Sequence, residues 1–135
     1  MNILVIDAQG GIGKQIVSAL KSITQVVLCY RERNQQSGHI IHVKAPGQIT
    51  AATGENPVMV CNRKADVIVG TVGIVIADAL LGEITAAMAT AVGRSQAKRI
   101  LVPVNHCDNY IVGVTDLSMT KLVDGVVTEV GKLIG

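Results

Sequence analysis

Short segments with aliphatic cores recur along the chain and restrict its fold more than any other feature. They lie at Asn2–Asp7, Gln25–Tyr30, Asp66–Thr71 and Lys98–Val104. A strand with one face in water alternates apolar and polar residues, whereas a strand buried on both faces is apolar throughout. The sequence contains no Trp or Phe and two Tyr. The runs therefore predict strands of a sheet that an aliphatic core covers on both faces.

Segments with helical spacing lie between these runs, beginning with Gly11–Ile23. Two further strands are predicted, a weak one at His39–Val43 and a short last one at Tyr110–Val114. Further helices are predicted at Pro46–Ala52, Ile74–Leu81 and Thr85–Val92, together with one that is capped by Asn56, has Pro57 at its first position and ends near Lys64. The final helix is capped by Ser118 and buries Leu122, Val123, Val126, Val127, Val130 and Leu133. This alternation predicts a three-layer αβα sandwich with a doubly wound, mostly parallel sheet of about five or six short strands in the order 3-2-1-4-5. Such an α/β fold is Rossmann-like, and the length predicts a single domain over residues 1–135.

The stretch DAQGGIGKQI, residues 7–16, joins the first predicted strand to the first predicted helix. In the dinucleotide fingerprint G-x-G-x-x-G, the three glycine positions are occupied here by Ala8, Gly10 and Gly13. Gly10 would let the main chain approach a pyrophosphate, and Gly13 would let the helix pack closely on the strand. Free N–H groups near Gly11 and Ile12 favour an anion. The stretch predicts a phosphate site at these residues, with a tight turn that serves packing alone as the alternative.

The same stretch also has partial likeness to the loops of nucleoside triphosphatases. The pattern G-x-x-x-x-G-K-[ST] is matched at Gly13 and Lys14 but has Ala8 and Gln15 at its other fixed positions. The KGG-x-GK-[ST] loop of partitioning ATPases would need a lysine where Gln9 stands. In both comparisons this chain lacks the Ser or Thr hydroxyl that ligates magnesium, so triphosphate hydrolysis is poorly supported.

An acidic residue about 20 positions beyond the glycines would bind the ribose hydroxyls of a dinucleotide. Glu32 occupies that place, between Arg31 and Arg33. If Glu32 faces the ligand, NAD is favoured, and if an arginine does, the 2′-phosphate of NADP is favoured. Solvated loop charges are the alternative interpretation.

Ligands of a doubly wound sheet bind beyond the carboxyl ends of its strands, where the strand order reverses. Ala8–Gly13, Gly70–Gly73 and Pro103–His106 are predicted to meet there. Within them, Gly73 would line the pocket and Asn105 would hydrogen-bond a ligand amide or hydroxyl, unless Asn105 serves its own turn.

Four further polar residues are candidates for a role in chemistry. Asp78 is an acid within an apolar helix that should be buried, and would be either a structural anchor or a functional carboxylate. Glu55, in a first helical turn, would interact with the helix dipole. His39 and His42 would face opposite sides of a strand, so no metal site is predicted.

The bulk properties argue against several classes of partner. The formal net charge is +2, no stretch concentrates Lys and Arg, and stacking aromatics are few, so nucleic-acid binding is disfavoured. The longest apolar stretch, Val67–Ala77, falls short of the ~20 residues that a membrane helix needs. Three scattered cysteines with no C-x-x-C pair and a start without a signal peptide predict a cytoplasmic protein.

Most of the chain, Asn2–Gly113, resembles a family of short bacterial proteins with a glycine-rich start and no established function. The motifs that carry the resemblance are Thr53–Val58, Ala77–Thr85 and Leu101–Asn105. The chain departs from the family pattern by one glycine in the opening loop and across Tyr30–Gln48. The resemblance implies a Rossmann-like fold and a bacterial cytoplasmic setting, and it implies no reaction.

Two hypotheses of different classes follow. The first is a small binding protein for NAD(P) or another nucleotide, with catalysis left open. The second is a cofactor-free homo-oligomeric interaction module, suggested by the apolar Ile74–Leu81 and by Ala86, Ala87, Ala89 and Ala91, which allow close helix approach. The two hypotheses are compatible with each other, and we expect the chain to form a homo-oligomer.

Overall fold

Five parallel strands form the centre of the molecule in a computed structural model. The structure describes residues 1–6, 11–21, 26–29, 49–52, 54–79, 82–103, 109–114 and 118–134, with 26–29 and 49–52 described as backbone. The strands are β1 Ile3–Ile6, β2 Val26–Cys29, β3 Ile49–Ala52, β4 Val67–Thr71 and β5 Lys98–Val102. They are hydrogen-bonded in the order β3-β2-β1-β4-β5. β1 and β4 are neighbours although β2 and β3 come between them in the sequence.

Within the described residues, four α-helices connect or follow the strands. They are α1 Gly11–Leu20, α2 Glu55–Lys64, α3 Ala86–Arg94 and α4 Met119–Ile134, and a 3₁₀ segment at Val72–Val75 follows β4 directly. The prediction of an α/β fold built on a parallel sheet is confirmed.

Two apolar clusters bury the two faces of the sheet. Ile3 and Val5 of β1 pack with residues of α1 and α4, including Ile16 and Val126. Leu4 and Ile6 point to the opposite face, where the second cluster contains residues of α2 and α3. Successive side chains of a strand point to opposite faces, so an apolar strand of this kind needs a helix layer on each side.

The structure corrects two predictions around the third strand. Ile49–Ala52 is a strand paired in parallel with β2, so the predicted helix at Pro46–Ala52 is wrong. Backbone pairing with β2 overrides the local helical spacing. The predicted strand at His39–Val43 lies outside the described residues.

The start of α2 also differs from its prediction. The N-cap is Gly54, with φ +109° and no side-chain cap, so Asn56 does not cap the helix. Pro57 is the third helical residue, which is tolerated because first-turn N–H groups have no intrahelical acceptor. The predicted end of the helix at Lys64 is confirmed.

The predicted helix at Ile74–Leu81 is wrong. The chain leaves the 3₁₀ segment through turns in which Asp78 has φ +62° and is exposed. The Asp78 N–H donates to the Ile84 carbonyl at 2.7 Å, which fixes this reversal. The prediction failed because a run that is apolar throughout does not distinguish a buried helix from another buried conformation. A residue in the left-handed conformation, such as Asp78, ends a helix. Asp78 is therefore not the buried acid that the sequence suggested, and Leu80 and Leu81 lie outside the described residues.

Two predictions near the carboxyl terminus are also corrected. Tyr110–Val114 forms a turn instead of a strand, and Tyr110 and Val112 are 75% and 86% exposed. The Ser118 hydroxyl accepts from the Lys121 N–H at 3.3 Å, which confirms the predicted cap of α4. Leu133 is 42% exposed and lies outside the buried stripe of that helix.

Candidate functional site

The strand order reverses between β1 and β4. From β1 the chain goes through α1 to β2 on one side, and β4 lies on the other side of β1. In open α/β sheets, the crevice beyond the carboxyl ends of such a strand pair is where ligands bind. The strands end here at Ile6 and Thr71, which therefore border the candidate site.

The N-terminus of α1 lies at the same edge, since residues 7–10 alone separate Ile6 from Gly11. Gly11 and Ile12 are the first two helical residues, and Gly13 is buried. The first turn contains no acidic side chain, and Lys14 is exposed beside it. These features give a helix end with positive partial charge and no carboxylate of its own first turn to oppose an anion.

Gly70 brings the ends of β1 and β4 close together. A Cβ atom at Gly70 would lie 2.8 Å from Ile74 Cδ1 and 3.3 Å from the Ile6 carbonyl oxygen. Gly73 is buried in the 3₁₀ segment, whose Ile74 belongs to the cluster beneath α2 and α3. The predicted segment Gly70–Gly73 thus begins at this edge and continues toward the face opposite α1.

Thr71 is the polar residue at this edge that sequence reasoning missed. Its side chain is 5% exposed, and Oγ1 is buried without a hydrogen-bond partner in the described part of the chain. Val67 and Val69 belong to the cluster with α1, so alternation along β4 places Thr71 on the face that α1 covers. The sequence did contain a signal for this residue, because a threonine ends the most apolar of the predicted strands.

The remaining predicted site residues fall outside the described residues. These are Gly10 in the opening loop, Glu32 after β2 and Asn105 after β5. Their roles stay predictions. Of the third predicted segment, Pro103 is described, and it is half-buried where β5 ends.

A second pair of polar groups joins two helix starts at the carboxyl edge. The Thr85 hydroxyl caps α3 by accepting from the Met88 N–H at 3.1 Å. The same hydroxyl donates to Glu55 Oε1 at 2.5 Å, in the first turn of α2. The predicted first-turn position of Glu55 is confirmed. Two of the motifs that carry the family resemblance, Thr53–Val58 and Ala77–Thr85, are therefore connected by a side-chain hydrogen bond.

The match to a family model covers residues 2–135, almost the whole chain, and its description is domain of unknown function, DUF3842. The chain belongs to the DUF3842 family. The expectation of an uncharacterised family is thus confirmed, and the DUF3842 description attaches no activity to these residues. A search of curated proteins and a search of solved structures each give no match.

Two further findings concern this DUF3842 chain. Among the helices of the described residues, none is long and apolar enough to cross a membrane. Among the described side chains, no group of three or more His, Cys, Asp or Glu is placed to hold a metal ion.

Proposed function

We propose that this chain is a cytoplasmic, single-domain Rossmann-like protein that binds a nucleotide or dinucleotide at the Ala8–Lys14 loop. The phosphate would lie at the N-terminus of α1, against the backbone of Gly10, Gly11, Ile12 and Gly13. Glu32, Gly73 and Asn105 would line the rest of the pocket. NAD, NADP, ATP, AMP and S-adenosylmethionine are the ligands to test first.

The observation that carries the proposal is the juxtaposition of Thr71 with the start of α1. Thr71 ends β4 on the face that α1 covers, and its buried Oγ1 has no partner among the described residues. A buried polar group without a hydrogen bond costs about 1–3 kcal/mol. A ligand hydroxyl, a phosphate oxygen or a ligand-bound water would satisfy this hydroxyl. The need for a partner and the positive helix end support the same location.

Charge around the helix start is a second support. The first turn of α1 lacks an acidic residue, and Lys14 lies exposed at its end. An anion at a helix N-terminus gains about 0.3–1 kcal/mol from the helix dipole, and a lysine adds to this as a point charge. The reversal of strand order between β1 and β4 is the third support.

Thermal unfolding of the full chain with each of the five nucleotides tests the proposal. A ligand present at about 100 times its Kd stabilises the folded state by about 2.7 kcal/mol. Gly10→Val should abolish the shift by blocking backbone approach, and Lys14→Gln should reduce it. Lys21→Gln is the matched control, because Lys21 is exposed just beyond the other end of the same helix.

The result that would overturn the proposal is the absence of a shift with all five nucleotides. A shift that survives Gly10→Val, or that Lys21→Gln reduces as much as Lys14→Gln, would place binding elsewhere and would equally reject this site.

The homo-oligomeric interaction module has one supporting observation of its own. Tyr110 and Val112 are 75% and 86% exposed in one turn, and large apolar side chains exposed together mark contact surfaces. Sedimentation of the full chain and of Tyr110→Ser/Val112→Ser tests it. An oligomer that the double variant dissociates supports the module, and a monomeric parent protein rejects it.

A further inference from the structure

A cleft lies between the C-terminal ends of α2 and α3, at the amino edge of the sheet and therefore opposite the candidate nucleotide site. Its volume is about 370 Å³, within the range of about 300–1,000 Å³ that is typical of small-molecule sites. Its polar lining comes from Asn62, Arg63, Arg94, Ser95 and Gln96, and alanine side chains contribute its apolar lining.

The fold gathers cationic side chains at this edge that are dispersed in the sequence. Arg63 and Lys64 end α2, Arg94 ends α3, and Lys98 and Arg99 begin β5. All five side chains are exposed. The same edge also carries the exposed Asp66 carboxylate, which accepts from the Asn2 N–H at 2.7 Å. Cationic side chains therefore outnumber acidic ones among the described residues here, although no stretch of the sequence is strongly basic.

The C-terminus of a helix carries negative partial charge and attracts cations. An arginine whose side chain already binds such a helix end has less positive charge to offer a ligand, so the partners of each arginine matter. At the end of α3, Arg99 Nη1 donates to the Val92 and Ser95 carbonyl oxygens at 3.3 and 2.8 Å. Among the described residues, no hydrogen bond or salt bridge engages the side chain of Arg63 or Arg94. The protein's own contacts therefore use Arg99 and leave the two cleft-lining guanidinium groups open to an anion.

Asn62 adds a neutral acceptor to the same cleft. Its Nδ2 donates to the Ala91 carbonyl oxygen at 2.8 Å, which fixes the orientation of the amide. Its Oδ1 is consequently turned away from that carbonyl and is buried without a partner among the described residues. A buried amide oxygen is normally satisfied by a donor, and Asn62 is one of the residues that line the cleft.

We propose that this cleft binds a small oxyanion, a carboxylate or a phosphate, that also carries an N–H or O–H donor. Arg63 and Arg94 bind the oxyanion, and the donor satisfies Asn62 Oδ1. The guanidinium fork matches the geometry of both carboxylate and phosphate oxygens. This site is independent of the proposed nucleotide site, because the two lie at opposite edges of the sheet.

Titration of the ¹⁵N-labelled full chain by NMR tests the site with two matched pairs of probes. L-Glutamate is compared with glutarate, and O-phosphoethanolamine with ethyl phosphate, because each pair differs only in the amino group that would reach Asn62. We expect saturable shifts of the amide signals of Asn62–Ala65 and Arg94–Ala97, with the amino-bearing probe of at least one pair binding more tightly. The pair that responds separates a carboxylate ligand from a phosphate ligand.

Arg63→Gln/Arg94→Gln should weaken that binding about 10-fold or more, equivalent to about 1.4 kcal/mol. Lys121→Gln is the control, because Lys121 is exposed on α4 at the opposite face of the sheet, and should leave binding unchanged. The amide spectra verify that each variant is folded.

Four outcomes would overturn the proposal: no saturable shift with any probe, equal binding within both pairs, equal binding by the double variant, or shifts confined to the N-terminus of α1. The last would support the nucleotide site while rejecting this one.

Discussion

Thr85 and Glu55 share a hydrogen bond of 2.5 Å between Oγ1 and Oε1, and it joins the starts of α2 and α3. The Thr85 hydroxyl also accepts from the Met88 N–H, so a single oxygen caps one helix and contacts the first turn of another. A short O–H···O contact to a carboxylate is among the stronger hydrogen bonds in proteins. The Thr85 side chain thus links these two helix starts, beside the apolar cluster that the helices share.

Thr85→Ala should lower the free energy of unfolding by about 1–2 kcal/mol, because it removes both the helix cap and the contact to Glu55. Thr85→Ser keeps the hydroxyl and should retain most of the stability. Thr90→Ala, at an exposed position of the same helix, is the matched control and should change little. Urea unfolding measures all three, and a loss for Thr90→Ala equal to that for Thr85→Ala would contradict the assignment.

Alanine substitutions at two glycines should change the free energy of unfolding in opposite directions. Gly70→Ala should destabilise the protein by about 1–3 kcal/mol, because the new Cβ would crowd Ile74 and the Ile6 carbonyl. Gly125→Ala should stabilise it by about 0.5–1 kcal/mol, since Gly125 lies within α4 with open space around it. Both changes are measured by chemical denaturation, and an unchanged Gly70→Ala protein would show that this strand end is less tightly packed than described.

Thr71→Val should stabilise the ligand-free protein by about 1 kcal/mol or more. The substitution keeps the shape of the side chain and removes a buried hydroxyl that has no partner among the described residues. If the hydroxyl serves a ligand, the same variant should bind the stabilising nucleotide more weakly. Thermal unfolding with and without nucleotide measures both effects. A destabilised, ligand-free Thr71→Val protein would indicate that the hydroxyl already has a partner within the chain.

Alanine substitutions in α4 should distinguish the buried stripe of this helix from its exposed end. Val130 is fully buried between the helix and the sheet, so Val130→Ala should cost about 2 kcal/mol through lost burial and a small cavity. Leu133→Ala removes a larger side chain, but that side chain is 42% exposed and should cost no more than about 0.5 kcal/mol. Urea unfolding measures both variants. An equal loss in the free energy of unfolding for Val130→Ala and Leu133→Ala would show that Leu133 belongs to the buried stripe, as its spacing in the sequence suggested.

The sequence by itself determined the elements whose burial follows from local pattern. The aliphatic runs of β1 and β4 are unambiguous because a strand buried on both faces needs no alternation. The helical spacing of α1 and α4 and the cap at Ser118 likewise act over a few neighbouring residues.

Tertiary structure decided what depends on residues distant in the chain. Ile49–Ala52 becomes a strand because β2 offers it a ladder of backbone hydrogen bonds, and the apolar Ile74–Leu81 turns at Asp78 instead of forming a helix. The burial of the Thr71 hydroxyl without a partner among the described residues likewise depends on segments far apart in the sequence, and so does the cationic edge around Arg63 and Arg94. Burial and charge density are properties of surfaces that several segments build together, so composition and spacing along one segment do not fix them.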